Sequence, residues 1–65
     1  MPSSVIRWFH YDAPTQTLAI VFTSGRRYRY HAVPAALAEA MKAAFSKGEF
    51  FNDRIRDHFR HSRDD

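Results

Sequence analysis

The first half of the chain alternates hydrophobic and polar positions with the period of two that strands show. Residues 4–11 are rich in β-branched and aromatic side chains and predict a first strand. Thr17 to Phe22 and Arg26 to His31 alternate and predict two more strands. Turn residues separate the three segments, with Asp12-Ala13-Pro14-Thr15-Gln16 before the second and Thr23-Ser24-Gly25 before the third. This pattern predicts a three-stranded antiparallel β-meander.

The register of the second hairpin follows from the same alternation. A three-residue loop with Gly25 in the left-handed conformation sets Ile20 opposite Tyr28 and Leu18 opposite Tyr30. A two-residue loop would instead set Ile20 beside Arg29. Because a one-residue slip turns every side chain to the other face, burial of the apolar face favours the three-residue loop.

The first strand does not show which of its faces is buried. Large apolar groups occur in both of its alternating sets, which are Ile6, Trp8 and His10 on one side and Val5, Arg7, Phe9 and Tyr11 on the other. Either a β-bulge switches the buried face within the strand, or some of these aromatic side chains are exposed.

The second half of the chain changes to a helical period. Val33-Pro34 ends the sheet, and Pro34 suits the first turn of a helix. The helix is predicted from Ala35 to Ser46, and Gly48 suits its C-terminal stop. Its predicted buried stripe has the spacing i, i+3, i+4, i+7 and consists of Leu37, Ala40, Met41 and Ala44.

A second helix is predicted with Asn52 as its N-cap and Phe51 as a hydrophobic staple before the cap. It is expected to fray after Arg60, leaving residues 61–65 as a polar tail. The order βββαα predicts an α+β fold with both helices on one face of the sheet. The 65 residues suffice for one domain, 1–65, with an ordered core over about 4–60.

Composition and charge exclude some classes of protein and favour others. The absence of cysteine excludes a disulfide scaffold and cysteine-ligated zinc. The net charge of +3 lies within residues 1–34, and eight of the ten basic residues are Arg, which suits contact with phosphate. No apolar run approaches the roughly 18 residues of a membrane span. We therefore expect no membrane association, a cytoplasmic location and a monomer by default.

Several short motifs, in order along the chain, carry a resemblance to a known family. They are Tyr11-Asp12, then Leu18 and Phe22 followed by Gly25, then Tyr28-Arg29-Tyr30, Val33-Pro34, and a final stretch with Ala44, Ser46, Gly48, Phe50, Phe51, Asn52 and Ile55-Arg56. From Ser4 to about Phe59 the chain resembles the KTSC domain family, named for a module at the C-terminus of some lysyl-tRNA synthetases. His10 departs from the small residue expected there, often Gly.

The resemblance implies family-motif positions and one candidate activity. The positions are Tyr11, Asp12, Gly25, Pro34, Ser46, Gly48, Asn52 and Arg56. The synthetase context implies RNA binding as the candidate activity, although the function of the family is unknown.

Basic and aromatic residues are interleaved on the third strand, as they are in proteins that bind single-stranded nucleic acid. Alternation places Arg27, Arg29 and His31 on one face, where Arg7 can join them and contact phosphates. Tyr28 and Tyr30 take the other face and would stack on bases only if the helices leave them accessible. The alternatives are a core role for the tyrosines and an ordinary solvated face for the arginines.

Other chemistry is less well supported by the residues. His58 and His61 lie three apart without a third convergent ligand, and no serine or threonine has an evident His-plus-acid partner. We therefore expect no catalysis, metal or cofactor. The favoured function is a binding module for RNA or single-stranded nucleic acid. In that function an exposed aromatic of the first strand, such as Trp8, would also stack on a base if it is accessible. The alternative is a protein-interaction module that uses a sheet edge or an exposed aromatic patch, for which Phe45 and Phe50 are candidates.

Overall fold

The fold is a four-stranded antiparallel sheet with helices packed on one face. A computed structural model describes residues 6–64. The elements in chain order are β1 (Ile6–Asp12), a 3₁₀ turn (Ala13–Thr15), β2 (Thr17–Phe22), β3 (Arg27–Tyr30), α1 (Ala35–Ala43), α2 (Lys47–Phe50), a π-helical segment that continues α2 (Phe51–Ile55) and β4 (His61–Arg63). The strands lie in the order β1-β2-β3-β4.

The fourth strand corrects the predicted βββαα order and the predicted polar tail. β4 pairs antiparallel with β3, with His61 opposite Tyr30 and Arg63 opposite Tyr28. The pairing continues beyond the strand, because the backbone N–H of Asp64 donates to the carbonyl of Arg27 at 2.8 Å. The side chains of β4 are exposed, so the strand shows no hydrophobic alternation. Main-chain hydrogen bonds join β4 to β3, and such bonds leave no hydrophobic pattern in the sequence from which the strand could be predicted.

The predicted hairpin register is confirmed. Ile20 lies opposite Tyr28, and Leu18 lies opposite Tyr30. The three-residue loop is closed by a 2.9 Å hydrogen bond from the N–H of Phe22 to the carbonyl of Arg26. Gly25 has φ +94°, in the left-handed region that this loop requires.

Both alternatives considered for the first strand occur together. The pairing of β1 with β2 shifts register between Ile6 and Trp8, which marks a bulge at Arg7. Beyond the bulge, Phe9 packs against the core, while Trp8 is 52% exposed. The predicted start of this strand, Ser4-Val5, lies outside the described residues.

Helix α1 is shorter than predicted, and its buried face is rotated. It ends at Ala43 rather than Ser46, with Ala44 in an extended conformation. Ala38 and Met41 are buried, whereas Ala40, which the predicted stripe includes, is exposed. Alanine fits either face of an amphipathic helix, so its position did not determine which side packs on the sheet. Pro34 takes the N-cap position, one residue before the predicted first turn.

The second helix begins earlier than predicted. Ser46 caps it, because the Ser46 hydroxyl accepts from the backbone N–H of Glu49 at 3.3 Å. Gly48 is a buried residue in the first turn of this helix instead of the stop of α1. Asn52 lies inside the π-helical segment, and Phe51 is buried in the core instead of acting as a staple. Ser46 and Glu49 form a Ser-x-x-Glu pattern, which is typical of an N-terminal capping box and outweighs the helix propensity of residues 44–46.

The core lies between the helices and one face of the sheet. Its most buried hydrophobic members are Leu18, Ile20, Tyr30, Val33, Ala38, Met41, Phe51 and Ile55. These residues come from β2, β3, α1, the π-helical segment and the segment before α1, so the helical layer covers a single face. The opposite face of the sheet is left open. Within residues 6–64, no helix has the length and hydrophobicity needed to cross a bilayer.

Candidate nucleic-acid interface

The open face of the sheet is formed by the side chains that alternate with the core residues. One cross-strand row runs from Trp8 through Val21 to Arg27. A second row runs from His10 through Ala19 to Arg29, and Ser62 of β4 extends it. Because directly opposite residues in an antiparallel sheet share a face, each row is a line of neighbouring side chains.

The first row combines an exposed aromatic ring with a basic side chain. Trp8 is 52% exposed, which is high for the largest aromatic side chain. Arg27 is exposed as well, and no ion pair within residues 6–64 involves its guanidinium. Val21 lies between them and is half-buried. The row therefore presents a ring that can stack and a charge that can bind an anion.

Arg29 and His31, the next residues of the predicted basic row, already have partners in β4 or directly after it. A guanidinium nitrogen of Arg29 lies 3.2 Å from a carboxylate oxygen of Asp64. Nε2 of His31 lies 3.1 Å from the Ser62 hydroxyl. Ion pairs as exposed as this one contribute little to stability, at most about 1 kcal/mol, so Arg29 can exchange Asp64 for another anion.

The second row contains a shallow depression. Ala19 is the smallest side chain of the row, and the longer side chains of His10 and Arg29 stand on either side of it. The depression has a volume of about 430 Å³ and is lined by His10, Asp12, Thr15, Thr17, Ala19 and Arg29. The Thr15 hydroxyl donates to the Asp12 carboxylate, and its oxygen lies 3.0 Å from the Thr17 hydroxyl. This network holds the Asp12 carboxylate in place.

The tyrosine pair of β3 faces the helices. Tyr30 is buried, with 4% of its surface exposed, and Tyr28 is half-buried. The two rings stack with centroids 6.4 Å apart, and His61 lies 5.5 Å from Tyr28 and 5.3 Å from Tyr30. Phe22 meets the Tyr28 ring edge-on at 5.5 Å. These contacts take up part of the surface on which a base would stack, and of the two rings Tyr28 is the more exposed.

A groove on the helical side brings together several residues that the family resemblance singles out. Its volume is about 920 Å³, and Tyr28, Tyr30, Gly48, Asn52 and Arg56 are among its lining residues. The Arg56 guanidinium donates to the Asn52 side-chain oxygen at 3.3 Å. Burial raises the pKa of the Tyr30 phenol above its usual value, and the positive charge of Arg56 opposes that shift.

The remaining predicted residues lie apart from both surfaces or have structural contacts. Arg7 is exposed at the bulge of β1. Tyr11 donates its hydroxyl to the carbonyl of Val33 at 2.6 Å. His58 lies in the turn after the π-helical segment, with Nε2 3.0 Å from the carbonyl oxygen of Asp53. Across residues 6–64, no three His, Cys, Asp or Glu side chains are grouped to hold a metal ion.

Sequence reasoning missed two features of the open face. The sequence pattern places Asp64 in a polar tail and therefore does not predict its pairing with Arg29. The depression was missed because Ala19 was treated only as part of an alternating strand. The sequence does contain a signal for the depression. Ala19 is small, and its cross-strand neighbours His10 and Arg29 are long, so space is left above the sheet at Ala19.

A four-stranded antiparallel sheet with helices on one face and the other face open defines a small two-layer α+β domain. The chain belongs to the KTSC domain family, whose model matches residues 2–59. The fold is similar to the crystal structure of a KTSC domain protein from Yersinia pestis, with a TM-score of 0.93 and 31% identity over 100% of this chain and 92% of that chain.

Two relatives differ in how much of their length the match covers. A lysine–tRNA ligase of Nostoc punctiforme is 46% identical over 88% of this chain. The matched part makes up only 10% of the length of the ligase. An uncharacterized protein of Stutzerimonas stutzeri is 39% identical over 100% of this chain and 93% of its own length. The same domain therefore occurs within a much longer enzyme and as most of a short protein.

Proposed function

We propose that this protein is a small binding module for single-stranded RNA and that it binds through the open face of its sheet. The observation that carries the proposal is the row formed by Trp8, Val21 and Arg27, with the indole half exposed and the guanidinium unpaired within residues 6–64. Stacking of a base on an aromatic side chain contributes roughly 1–3 kcal/mol and needs no particular base.

The roles divide between stacking and charge. Trp8 would stack on a base, and Arg27 would contact a neighbouring phosphate. Arg29 lies two residues further along β3, about 6.6–7 Å away, which is close to the spacing of successive phosphates in an extended strand. Arg29 and His31 would extend the basic row once their contacts with Asp64 and Ser62 are exchanged. Few phosphates are neutralised, so we expect weak binding that depends on salt.

The kinship with a lysine–tRNA ligase supports RNA over other polyanions. That relative is named for an enzyme that acts on tRNA, and this chain matches about a tenth of it. Even weak RNA affinity would be useful in a domain that is covalently linked to such an enzyme. Once the RNA is bound at one site, its effective concentration at the linked site is high, so the overall affinity rises.

Trp8 is the only tryptophan of the chain and therefore reports on its own site. We would titrate the protein with six-nucleotide single-stranded RNA at about 50 mM and 200 mM salt and follow tryptophan fluorescence. Stacking is expected to quench the indole, and binding should weaken at the higher salt. The amide resonances of residues 27–31 should shift in the same titration.

Matched variants separate a specific site from general charge. Trp8→Ala and Arg27→Glu should each weaken binding about tenfold or more, by loss of one stacked base and of one phosphate contact. Trp8→Ala has no tryptophan left, so its affinity is read from the amide shifts of residues 27–31. The control is Arg54→Glu, which makes the same change of charge in the π-helical segment on the other layer. The absence of any quenching or shift with RNA at the lower salt would overturn the proposal.

One observation favours the alternative of a protein-interaction module. Phe45 lies between α1 and α2 and is fully exposed, at 103% of its reference area. A phenylalanine held in water at a loop tip is typical of an anchor residue that a partner buries. Sedimentation of the parent and of Phe45→Ala over a range of concentrations tests this for self-association. Concentration-dependent association that the variant loses would favour this second function.

A further inference from the structure

We propose that the depression around Ala19 binds a guanine base of the RNA strand, next to the base that stacks on Trp8. The inference rests on the proposed function and adds a base preference to it. Three features of the depression carry it: its position, its shape and the chemistry of the two charged groups on its walls.

The position fits the neighbouring nucleotide of one strand. Val21 lies opposite Trp8, and Ala19 lies opposite His10. Ala19 and Val21 are two residues apart on β2, and that repeat is about 6.6–7 Å, close to the distance between consecutive nucleotides of an extended strand. A strand whose first base stacks on Trp8 therefore brings its next base over Ala19.

The shape suits a flat ring. Ala19 forms the floor, and His10 and Arg29 stand on the two sides because they are its partners on the neighbouring strands. The volume of about 430 Å³ falls within the roughly 300–1,000 Å³ of small-ligand sites. A branched or aromatic residue at position 19 would fill this space.

The two charged groups match the edges of guanine. The Asp12 carboxylate only accepts hydrogen bonds, and guanine offers it two adjacent donors, N1–H and the N2 amino group. The Arg29 guanidinium only donates, and guanine offers O6 and N7 as acceptors on the next edge. A guanidinium carries five N–H donors, so once the strand displaces Asp64, Arg29 can contact both the guanine edge and a phosphate.

The other bases match these walls less well. Adenine and cytosine each place a ring-nitrogen acceptor beside the amino group that Asp12 would contact, so the carboxylate meets a lone pair. Uracil offers one donor, N3–H, between two carbonyl acceptors. The expected order of affinity is guanine, then uracil, then adenine and cytosine.

The test uses RNA hexamers that carry one G, U or C in an adenine background, with the all-adenine hexamer as reference, and it follows Trp8 fluorescence. The parent should bind the hexamer with guanine about tenfold or more tightly than the all-adenine hexamer. Asp12→Asn should remove this preference and shift it toward adenine, since an amide side chain pairs with adenine in a bidentate way. Ala19→Leu should weaken guanine binding by filling the floor.

Controls and alternative outcomes keep this inference separate from the proposed function. Asp53→Asn removes the same charge in the π-helical segment and should retain the guanine preference. Binding of all hexamers with equal affinity, or a preference that survives in Asp12→Asn, overturns the guanine site but leaves RNA binding in place. Guanosine monophosphate that binds as tightly as the hexamer overturns the assignment to a strand, and failure of every hexamer to bind overturns both proposals.

Discussion

The hydroxyl of Tyr11 donates to the backbone carbonyl of Val33 across 2.6 Å, and so ties the end of β1 to the segment that leads into α1. Val33 is fully buried, and its N–H donates to the carbonyl of Gln16 at 2.9 Å. The two backbone groups of Val33 are thus satisfied by the end of β1 and by the turn that follows it. This pair of contacts fixes where the chain leaves the sheet.

Removal of the Tyr11 hydroxyl tests this contact. Tyr11→Phe keeps the ring but leaves the Val33 carbonyl without its partner, so the free energy of unfolding should fall by about 1–3 kcal/mol. Tyr28→Phe is the matched control, because no hydrogen bond within residues 6–64 involves the Tyr28 hydroxyl. Urea unfolding of the three proteins gives the comparison, and equal losses in the two variants would contradict the role of this contact.

Gly25 provides a test of the hairpin loop. It has φ +94°, and a Cβ built there has nothing within 4 Å. Gly25→Ala should therefore cost about 1 kcal/mol through backbone strain alone, with no clash to add. Gly25→Asn should cost less, because asparagine tolerates the left-handed region. A rise in melting temperature on Gly25→Ala would show that the loop has another conformation.

The parts of the fold that the sequence predicted are those set by burial. Alternation from Leu18 to Tyr30 predicted the register, since a one-residue slip would put Tyr30 on the opposite face from Leu18 and Ile20. The break between the two helices was misplaced, because residues 35–44 are all strong helix formers and only the Ser46 cap marks the boundary. Strand β4 was missed because residues 61–63 are polar and exposed and show no hydrophobic alternation, and their contacts with β3 exist only once the chain has folded.

Ala32 is a non-glycine residue in the left-handed region, with φ 59°. Ala32→Gly should relieve that strain and stabilise the protein by about 0.5–1 kcal/mol, after the added chain entropy of glycine is deducted. Ala40→Gly makes the same substitution at an exposed position of α1 and should destabilise the protein by about 1 kcal/mol. The melting temperature should therefore rise in Ala32→Gly and fall in Ala40→Gly. A lower melting temperature in both variants would contradict the prediction.

The burial of the Tyr30 phenol leads us to expect that the protein loses stability at alkaline pH. Burial raises its pKa, so the folded state keeps the proton at a pH where the unfolded chain has released it. Stability is therefore full below about pH 10, the ordinary value, and falls as the pH rises beyond it. Tyr30→Phe should reduce this fall while leaving stability near pH 7 within about 0.5 kcal/mol of the parent. The urea midpoints of the parent and of Tyr30→Phe, measured from pH 7 to 11, test both expectations. The same dependence of the midpoint on pH in the two proteins would show that Tyr30 is not the group responsible.

The candidate site was less predictable than the fold. Strand alternation placed Arg27 and Arg29 on the open face, but it treated them as equivalent. The structure distinguishes them, because Asp64 from the far end of the chain reaches Arg29 and leaves Arg27 unpaired within residues 6–64. A contact between positions 35 residues apart depends on the path of β4, which local pattern does not encode.

The contact between Arg29 and Asp64 predicts a variant that binds RNA more tightly than the parent. Asp64→Asn removes the carboxylate that competes with the strand for Arg29, so affinity should rise roughly two- to fivefold at about 50 mM salt and less at higher salt. The control is Glu39→Gln, which neutralises the carboxylate of an exposed pair with Lys42 on α1 at 3.4 Å. Both changes raise the net charge by one unit, but only Asp64→Asn frees a cation on the open face. Fluorescence titration of both variants decides: equal gains would show that total charge, and not the open face, governs binding.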